Sequence, residues 1–510
     1  MMIRRIAWLA VMTLMACLIP VYAQYSTVSC QHGETGTCRQ ATSCSQTNVQ
    51  AAITASASGT SGYVSPTSFN GDGVYIPAGS CSWTSSVSWS NKNINVIGAG
   101  ATSTVITPTG DAFDVAISGS WTSLNSTAAA FRISGIGFTG SPSGSTININ
   151  GTSVSGPSGF FRVDNITVNY TATGNIVYVQ GPVWGLLDHW NVTWAGKNFL
   201  EQADYLSTEC VVSPGNTLVY LGEYSGRTLP IALGTENAVY VEASTFTFVG
   251  AAYTAAITDS ESGGQRMVFR YNSVTGATDH YAHWSRGGNG GYCYNGQWDG
   301  HKYEIYNNTY NGQSSSGYPM RFGSGTGVIF NNTITGYSDP TVHVDETRGC
   351  GGESTNETMN SCDGTQAVDG NAGDTNAPGW PCAGQIGTAC IAGNCTRTTM
   401  NSVPLLVWNN GAQSGCSSGG SCTNSVTVNT DGPMGSSNSC NRTMTNYIKA
   451  TAHSVSGSMN GAIDYCQGSA MPTTCGIYTN SYAAYTYPHP LQGGGAPPPV
   501  PTGLTSVTNP

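Results

Sequence analysis

A short phrase recurs along this chain and limits what it can fold into. Its form is an apolar residue, an outward residue, a bend carrying a small or amide side chain, then an apolar residue again. It reads Phe131-Arg132-Ile133-Ser134-Gly135-Ile136, Phe161-Arg162-Val163-Asp164-Asn165-Ile166, Leu187-Asp188-His189-Trp190-Asn191-Val192 and Val241-Glu242-Ala243-Ser244-Thr245-Phe246. Clearer copies follow at Phe269-Arg270-Tyr271-Asn272-Ser273-Val274, Ile305-Tyr306-Asn307-Asn308-Thr309-Tyr310 and Ile329-Phe330-Asn331-Asn332-Thr333-Ile334. With the fourth residue as anchor, positions 134, 164, 190, 244, 272, 308 and 332 are separated by 30, 26, 54, 28, 36 and 24 residues. Reading 54 as two turns of 27 makes every step one coil of roughly two dozen residues, sometimes with an inserted loop.

A period of that length built from short strands predicts an all-β solenoid, its coils stacked in parallel about 4.8 Å apart. One coil cannot bury its own apolar face, so stacking supplies the core. Asn at the bend tolerates left-handed backbone, and its amide can bond the amide of the next coil. Asn272, Asn308 and Asn332 are therefore expected to form an inward ladder. Composition agrees. Only 9% of residues are charged, against roughly 25% in an ordinary soluble protein, and the scarcity of helix formers excludes a helical bundle. Aromatics at 10% and hydrophobics at 39% exclude a disordered chain. Near the start, Val49, Ala52 and Ile53 stand at helical spacing ahead of the strand Val74-Tyr75-Ile76, which predicts a helix capping the first open coil.

Residues 1–23 have the parts of a secretory signal: Arg4 and Arg5, an apolar run from Ile6 to Ile19, and Val21-Tyr22-Ala23 before Gln24. A lipoprotein signal ending at Cys17 is the competing reading. Removing Cys17 with the signal leaves 16 of the 17 cysteines, an even number suited to disulfides in an exported chain. Losing both arginines takes the net charge from −10 to −12, which disfavours nucleic acid as a partner. No later stretch is long and apolar enough for a membrane span. The expected organisation is a signal at 1–23, a solenoid over 24–490 with a Cys-rich insertion at about 337–403, and a Gly/Pro-rich tail at 491–510. A secreted monomer is expected.

With these residues in view, the chain resembles the secreted right-handed parallel β-helix proteins of the pectate-lyase-like superfamily. The resemblance rests on the VQAAI helix at 49–53, the YIPAGS turn at 75–80, INVIGAG at 94–100, and the EIYNNTY and VIFNNTI coils. It covers about residues 40–340 and resumes at Leu405-Leu406-Val407-Trp408-Asn409-Asn410. It implies a right-handed parallel β-helix. That superfamily holds lyases, hydrolases, epimerases and non-catalytic spikes, so the resemblance implies no single chemistry.

Residues 279–304 concentrate charge and aromatic rings in a chain poor in charge. For a lyase, His283 or His301 would be the base, Arg286 the carboxylate clamp and Asp299 its support. For a glycoside hydrolase, Asp279, Asp299 and Glu304 are the carboxylates at hand. Trp284, Tyr292, Tyr294 and Trp298 offer faces for sugar rings. Counting two before each anchor aligns Arg132, Arg162, Asp188, an unassigned coil, Glu242, Arg270, Tyr306 and Phe330 as an outward row. Glu242 and Arg270 would then be an exposed ion pair or part of a polar groove holding a polysaccharide. His280, His283 and His301 are a weak pattern for a transition metal. Asp345 and Glu346 with Asp363, Asp369 or Asp374 offer the oxygen ligands Ca²⁺ takes, but no D-x-D-x-D-G loop is present, so solvated acids are the default. A polysaccharide lyase or hydrolase is expected, with a non-catalytic glycan-binding surface protein as the alternative.

Overall fold

The bends of the recurring phrase are the corners of a solenoid. The structure is a computed structural model. It describes residues 23–492 apart from 60–61, 66–67, 120–128, 155–157, 172–173, 197, 204–229, 253, 261–264, 283–301, 316, 323–324, 345–385, 392–400, 415, 417–421, 429–464 and 477. Residues 1–22 of the expected signal, residues 493–510 of the expected tail, and the acids Asp345, Glu346, Asp363, Asp369 and Asp374 lie outside the described residues. Leu491 and Gln492, at the start of that tail, instead pack on the solenoid.

The chain visits three faces in turn, for example at Asp72–Ile76, Gly79–Trp83 and Val87–Ser90, and then begins again at Ile94–Gly98. Repetition builds a 13-stranded, a 9-stranded and a 10-stranded sheet, called here the long, nine-stranded and ten-stranded sheets. Pairing within all three is parallel, except where Tyr25–Val28 joins Cys38–Ala41 antiparallel at the start. This is the parallel β-helix expected from the sequence. Alternate residues point inward, so Phe131, Phe161, Phe246, Phe269 and Tyr310 fill the lumen with Val, Ile and Leu, all essentially inaccessible to solvent. The helix Gln46–Ala55 starts at Ser45, whose side chain accepts from Asn48 N, and it buries Val49, Ala52 and Ile53 as their spacing predicts. Cys44–Cys81 ties this cap to the first coils, while Cys30–Cys38, Cys416–Cys422 and Cys466–Cys475 staple other described segments.

The corner between the long and nine-stranded sheets carries the amide ladder. Asn272 Nδ2 donates to Asn308 Oδ1 (3.2 Å), Asn308 to Asn332 (3.0 Å), Asn332 to Asn410 (2.9 Å) and Asn410 to Asn424 (2.8 Å). Each acceptor oxygen also takes the backbone N–H of the coil before, as at Asn272 N and Asn308 N. The expected left-handed backbone falls not on the ladder residue but on the one before it: Tyr271, Asn307, Asn331 and Asn409 have φ of 57°, 57°, 55° and 48°. Backbone geometry and the amide column therefore fall to successive residues.

Register corrects two expectations. Ser134 pairs with Asp164, Asp164 with Asp188, and Asp188 with Glu242. The residues equivalent to the ladder are thus Ile136 and Ile166, two beyond the first two anchors. The 54-residue step is also one coil, because Asp188 and Glu242 are direct partners. There is no unassigned coil between them; residues 204–229 supply the extra length. The chain leaves the ten-stranded sheet at Ala203, Ala282 and Val344 and rejoins the long sheet at Val239, Lys302 and Leu405. It leaves the same sheet again at Val428 and rejoins the long sheet at Tyr465, so all four of these longer excursions start from the same corner.

Candidate functional site

Two of the three outer faces carry charge, and they differ in what covers them. On the long sheet the outward row is Ser134, Asp164, Asp188, Glu242, Arg270, Tyr306, Phe330 and Trp408. Arg132 and Arg162 belong to the neighbouring outward row, with Glu304 further along it. Arg270 and Glu242 do pair, Nε to Oε2 at 2.6 Å, but both side chains are fully buried. The exposed pair or open groove expected here is ruled out by the chain's own C-terminal segment. Arg270 donates to Tyr485 O and Thr486 O (2.7 and 2.8 Å), Glu242 Oε1 accepts from His489 N and Gln492 Nε2, and Tyr487 stacks on Tyr271 at 3.6 Å. Burial pushes the Glu242 carboxyl up, an effect opposed by Arg270.

Glu304 lies on the same covered face, held by Lys302 at 3.0 Å, Gly234 N and Tyr482 Oη. Asp279 is on the ten-stranded sheet, 3.4 Å from Arg321 Nε. Asp279 and Glu304 are therefore on different sheets and do not form the carboxylate pair expected of a hydrolase. His280 points into the lumen, with Nδ1 bonded to Thr258 Oγ1 and Nε2 to Tyr310 Oη at 2.9 and 2.8 Å. Burial lowers its pKa to about 3, and a metal site using it is excluded. His283, Arg286, Asp299, His301, Trp284, Tyr292, Tyr294 and Trp298 lie outside the described residues. Cys30, Glu34 and Cys38 bring possible metal-ligand atoms together, but the two sulfurs are joined to each other.

The second charged face is the outer side of the ten-stranded sheet, where Glu201 and Asp259 retain 6% and 7% exposure, unlike the fully enclosed Glu242 and Arg270. Strand alternation aims Asp114, Asn148, Tyr178, Glu201, Asp259, Tyr281, Arg321 and His343 outward, each in register with the next. At its start Asn148 Nδ2 donates to Asp114 Oδ1 and Gln180 Nε2 to Asn148 Oδ1, both at 3.2 Å. Burial, then the charge of Asp111, pushes the Asp114 carboxyl up. Further along, the Arg321 guanidinium lies 3.8 Å from the ring centre of Tyr281, and Tyr318 stacks on His343 at 3.9 Å.

In the middle of the row, Glu201 and Asp259 occupy adjacent coils as direct register partners. Asn198 sits at the corner before them. Its Oδ1 accepts from Ala256 N at 2.9 Å, which turns Nδ2 towards both acids, 2.7 Å from Asp259 Oδ2 and 3.5 Å from Glu201 Oε2. The two carboxylate oxygens are thus within about 6 Å of each other, a separation at which one acid can donate a proton while the other attacks or activates water. Sequence reasoning missed this row because its strands lack the bend that marks the next corner. The signal available was the alternation in Ile147-Asn148-Ile149-Asn150 and Val177-Tyr178-Val179-Gln180.

No protein-family model matches the chain, and no curated protein matches it. Among solved structures, the chain is similar to the catalytic domain of a GH87 alpha-1,3-glucanase variant in complex with tetrasaccharides, at 11% identity and a TM-score of 0.24. It is also similar to the same catalytic domain in complex with nigerose, at 12% identity and a TM-score of 0.20. In both cases 70% of this chain aligns with 63% of the other.

Proposed function

We propose that the protein is a secreted glycoside hydrolase that binds a polysaccharide along the outer face of the ten-stranded sheet. The observation that carries this reading is the Glu201–Asp259 pair on adjacent coils, oriented by one amide. Asp259, which takes the shorter bond from Asn198, is the nucleophile or base. Glu201 is the proton donor to the leaving oxygen. Tyr178 and Tyr281 stand on either side of the pair in the same row; the half-buried Tyr178 offers a ring to a neighbouring sugar, while Tyr281 is covered by the Arg321 guanidinium. His283, Arg286, Asp299 and His301, with Trp284, Tyr292, Tyr294 and Trp298, follow directly on the strand Asp279–Ala282 and remain part of the proposed site. Export fits the described disulfides and a signal ending at Ala23. Among the described residues no helix is long and apolar enough to cross a membrane.

The test is incubation of the purified protein with a panel of neutral and acidic polysaccharides, with and without chelator. New reducing ends without new ultraviolet absorbance, lost in Asp259→Asn and Glu201→Gln, are expected. Products bearing unsaturated ends would mean a lyase. Glycan retention without any product would mean a binding protein.

A further inference from the structure

The third face of the solenoid has no part in the site above, and its chemistry is of another kind. The nine-stranded sheet contains no Asp, Glu, Lys or Arg in any of its strands. Inward residues such as Phe138, Val168, Val192 and Phe246 are buried in the lumen. Outward residues repeat almost without variation. The six strands from 167 to 335 present Thr-x-Asn, Asn-x-Thr, Thr-x-Thr, Ser-x-Thr, Thr-x-Asn and Thr-x-Thr. They stay in register coil after coil across both rows, with no shift between Thr167 and Asn311. Strand spacing places neighbours about 4.8 Å apart along the stack and the two rows about 6.7 Å apart across it. Asn169, Asn191, Thr245 and Asn311 are exposed, and the other outward residues of these strands are half-buried.

We infer that this face binds ice. A solid water lattice is a repeating array without charge, and the face is a repeating array without charge on a comparable scale. Thr is suited to such a surface because its β-branch holds χ1, so the array is ordered before binding. Each Thr adds a methyl to exclude loose water and a hydroxyl that can replace one lattice water, and the Asn amides add further uncharged donors and acceptors. The contact of a single residue is weak, and repetition across the coils makes the sum substantial. Charged side chains would hold hydration shells of their own, and the face has none. Nor does the row offer an aromatic ring, the usual platform for a sugar, which separates this face from that of Glu201 and Asp259.

The full chain is tested by its partition into a slowly growing ice hemisphere and by the habit of single ice crystals in its presence. Wild-type protein is expected to enter the ice and to facet the crystals. Thr193→Lys with Thr247→Lys, register partners on adjacent coils, should be excluded from ice while circular dichroism and melting stay unchanged. Met471→Lys, exposed but elsewhere, should enter as wild type does. If the double variant melts early, Asn169→Lys at an exposed position takes its place with the same readout. Exclusion of the wild-type protein, or equal entry of the lysine variants, overturns the inference. Retention on an insoluble neutral polysaccharide through these threonines, without entry into ice, overturns it too. Hydrolytic activity is untouched by any of these substitutions, so the two proposals stand or fall separately.

Discussion

Arg270 and Glu242 face each other on adjacent coils of the long sheet at 2.6 Å, with neither side chain reaching solvent. Two ions are out of water here because Tyr306 Oη accepts from the guanidinium on the next coil and the C-terminal segment adds two carbonyls for the guanidinium and two donors for the carboxylate. Breaking such a pair leaves one charge buried without its counter-ion. Glu242→Ala is expected to cost about 3–5 kcal/mol. The double variant Glu242→Leu with Arg270→Met should lose less than the two single losses combined. Denaturant unfolding of the four proteins measures both.

The segment that seals this face makes its last described anchor at Gln492, whose carbonyl accepts from Arg162 Nη1 at 3.4 Å. A chain ending after Gln492 should melt as the full chain does. One ending after Gly476 uncovers Glu304, Arg270 and Glu242 and should melt lower and be cut readily by protease. Limited proteolysis beside a melting curve reads both results.

In the amide ladder, Asn308→Ala removes the acceptor of Asn272 N and Asn272 Nδ2 together with two donations of its own. Buried groups left unbonded cost about 1–3 kcal/mol each, so a loss of several kcal/mol is expected. Asn331→Gly, one residue before a ladder position and already at φ 55°, should change stability by less than about 1 kcal/mol. Equilibrium unfolding midpoints separate the two.

Two histidines give stability a pH dependence of opposite sense. The hydrogen bond that Asp188 Oδ2 accepts from His189 Nδ1 at 2.6 Å raises the His189 pKa. Its stabilisation is complete below the unfolded value, about 6.5, and is lost as pH rises through the higher folded value. Burial depresses His280 to about 3, so the neutral core ring favours folding fully above about 6.5 and progressively less as pH falls towards 3. Melting temperature should therefore decline on both sides of a slightly acidic range. His189→Gln should flatten only the alkaline limb.

Asn198 aims one amide at two acids while Ala256 N fixes its orientation. Asn198→Ala should lower hydrolytic turnover about 10²-fold and alter the pH–rate profile, with KM little changed. A purely structural role would shift melting and leave the profile in place. Initial rates across pH with the best substrate of the panel distinguish the outcomes.

What could be read in advance was whatever local chemistry dictates. The column of Asn272, Asn308 and Asn332 and the apolar face of Gln46–Ala55 follow from residue type at a regular spacing and appear where expected, although the left-handed backbone falls one residue before each asparagine. The burial of Arg270 and Glu242 could not be read, because residues more than 200 positions downstream provide it. Register slipped between Asp164 and Trp190 for a related reason. An apolar residue two beyond the strand, such as Ile166, fills the column as well as Asn does, so the pattern alone did not identify the equivalent position. Glu201 and Asp259 escaped notice because 58 residues separate two side chains that only stacking makes neighbours.

The long excursions depart after Ala203, Ala282, Val344 and Val428, and the amide column runs down a different corner of each coil. Growth and support are therefore decoupled in this architecture. Chain can be added or exchanged beside the acidic pair without altering the number of residues between one ladder asparagine's strand and its own corner. A lineage built on this plan can change what it grips while the spine that holds it upright stays the same.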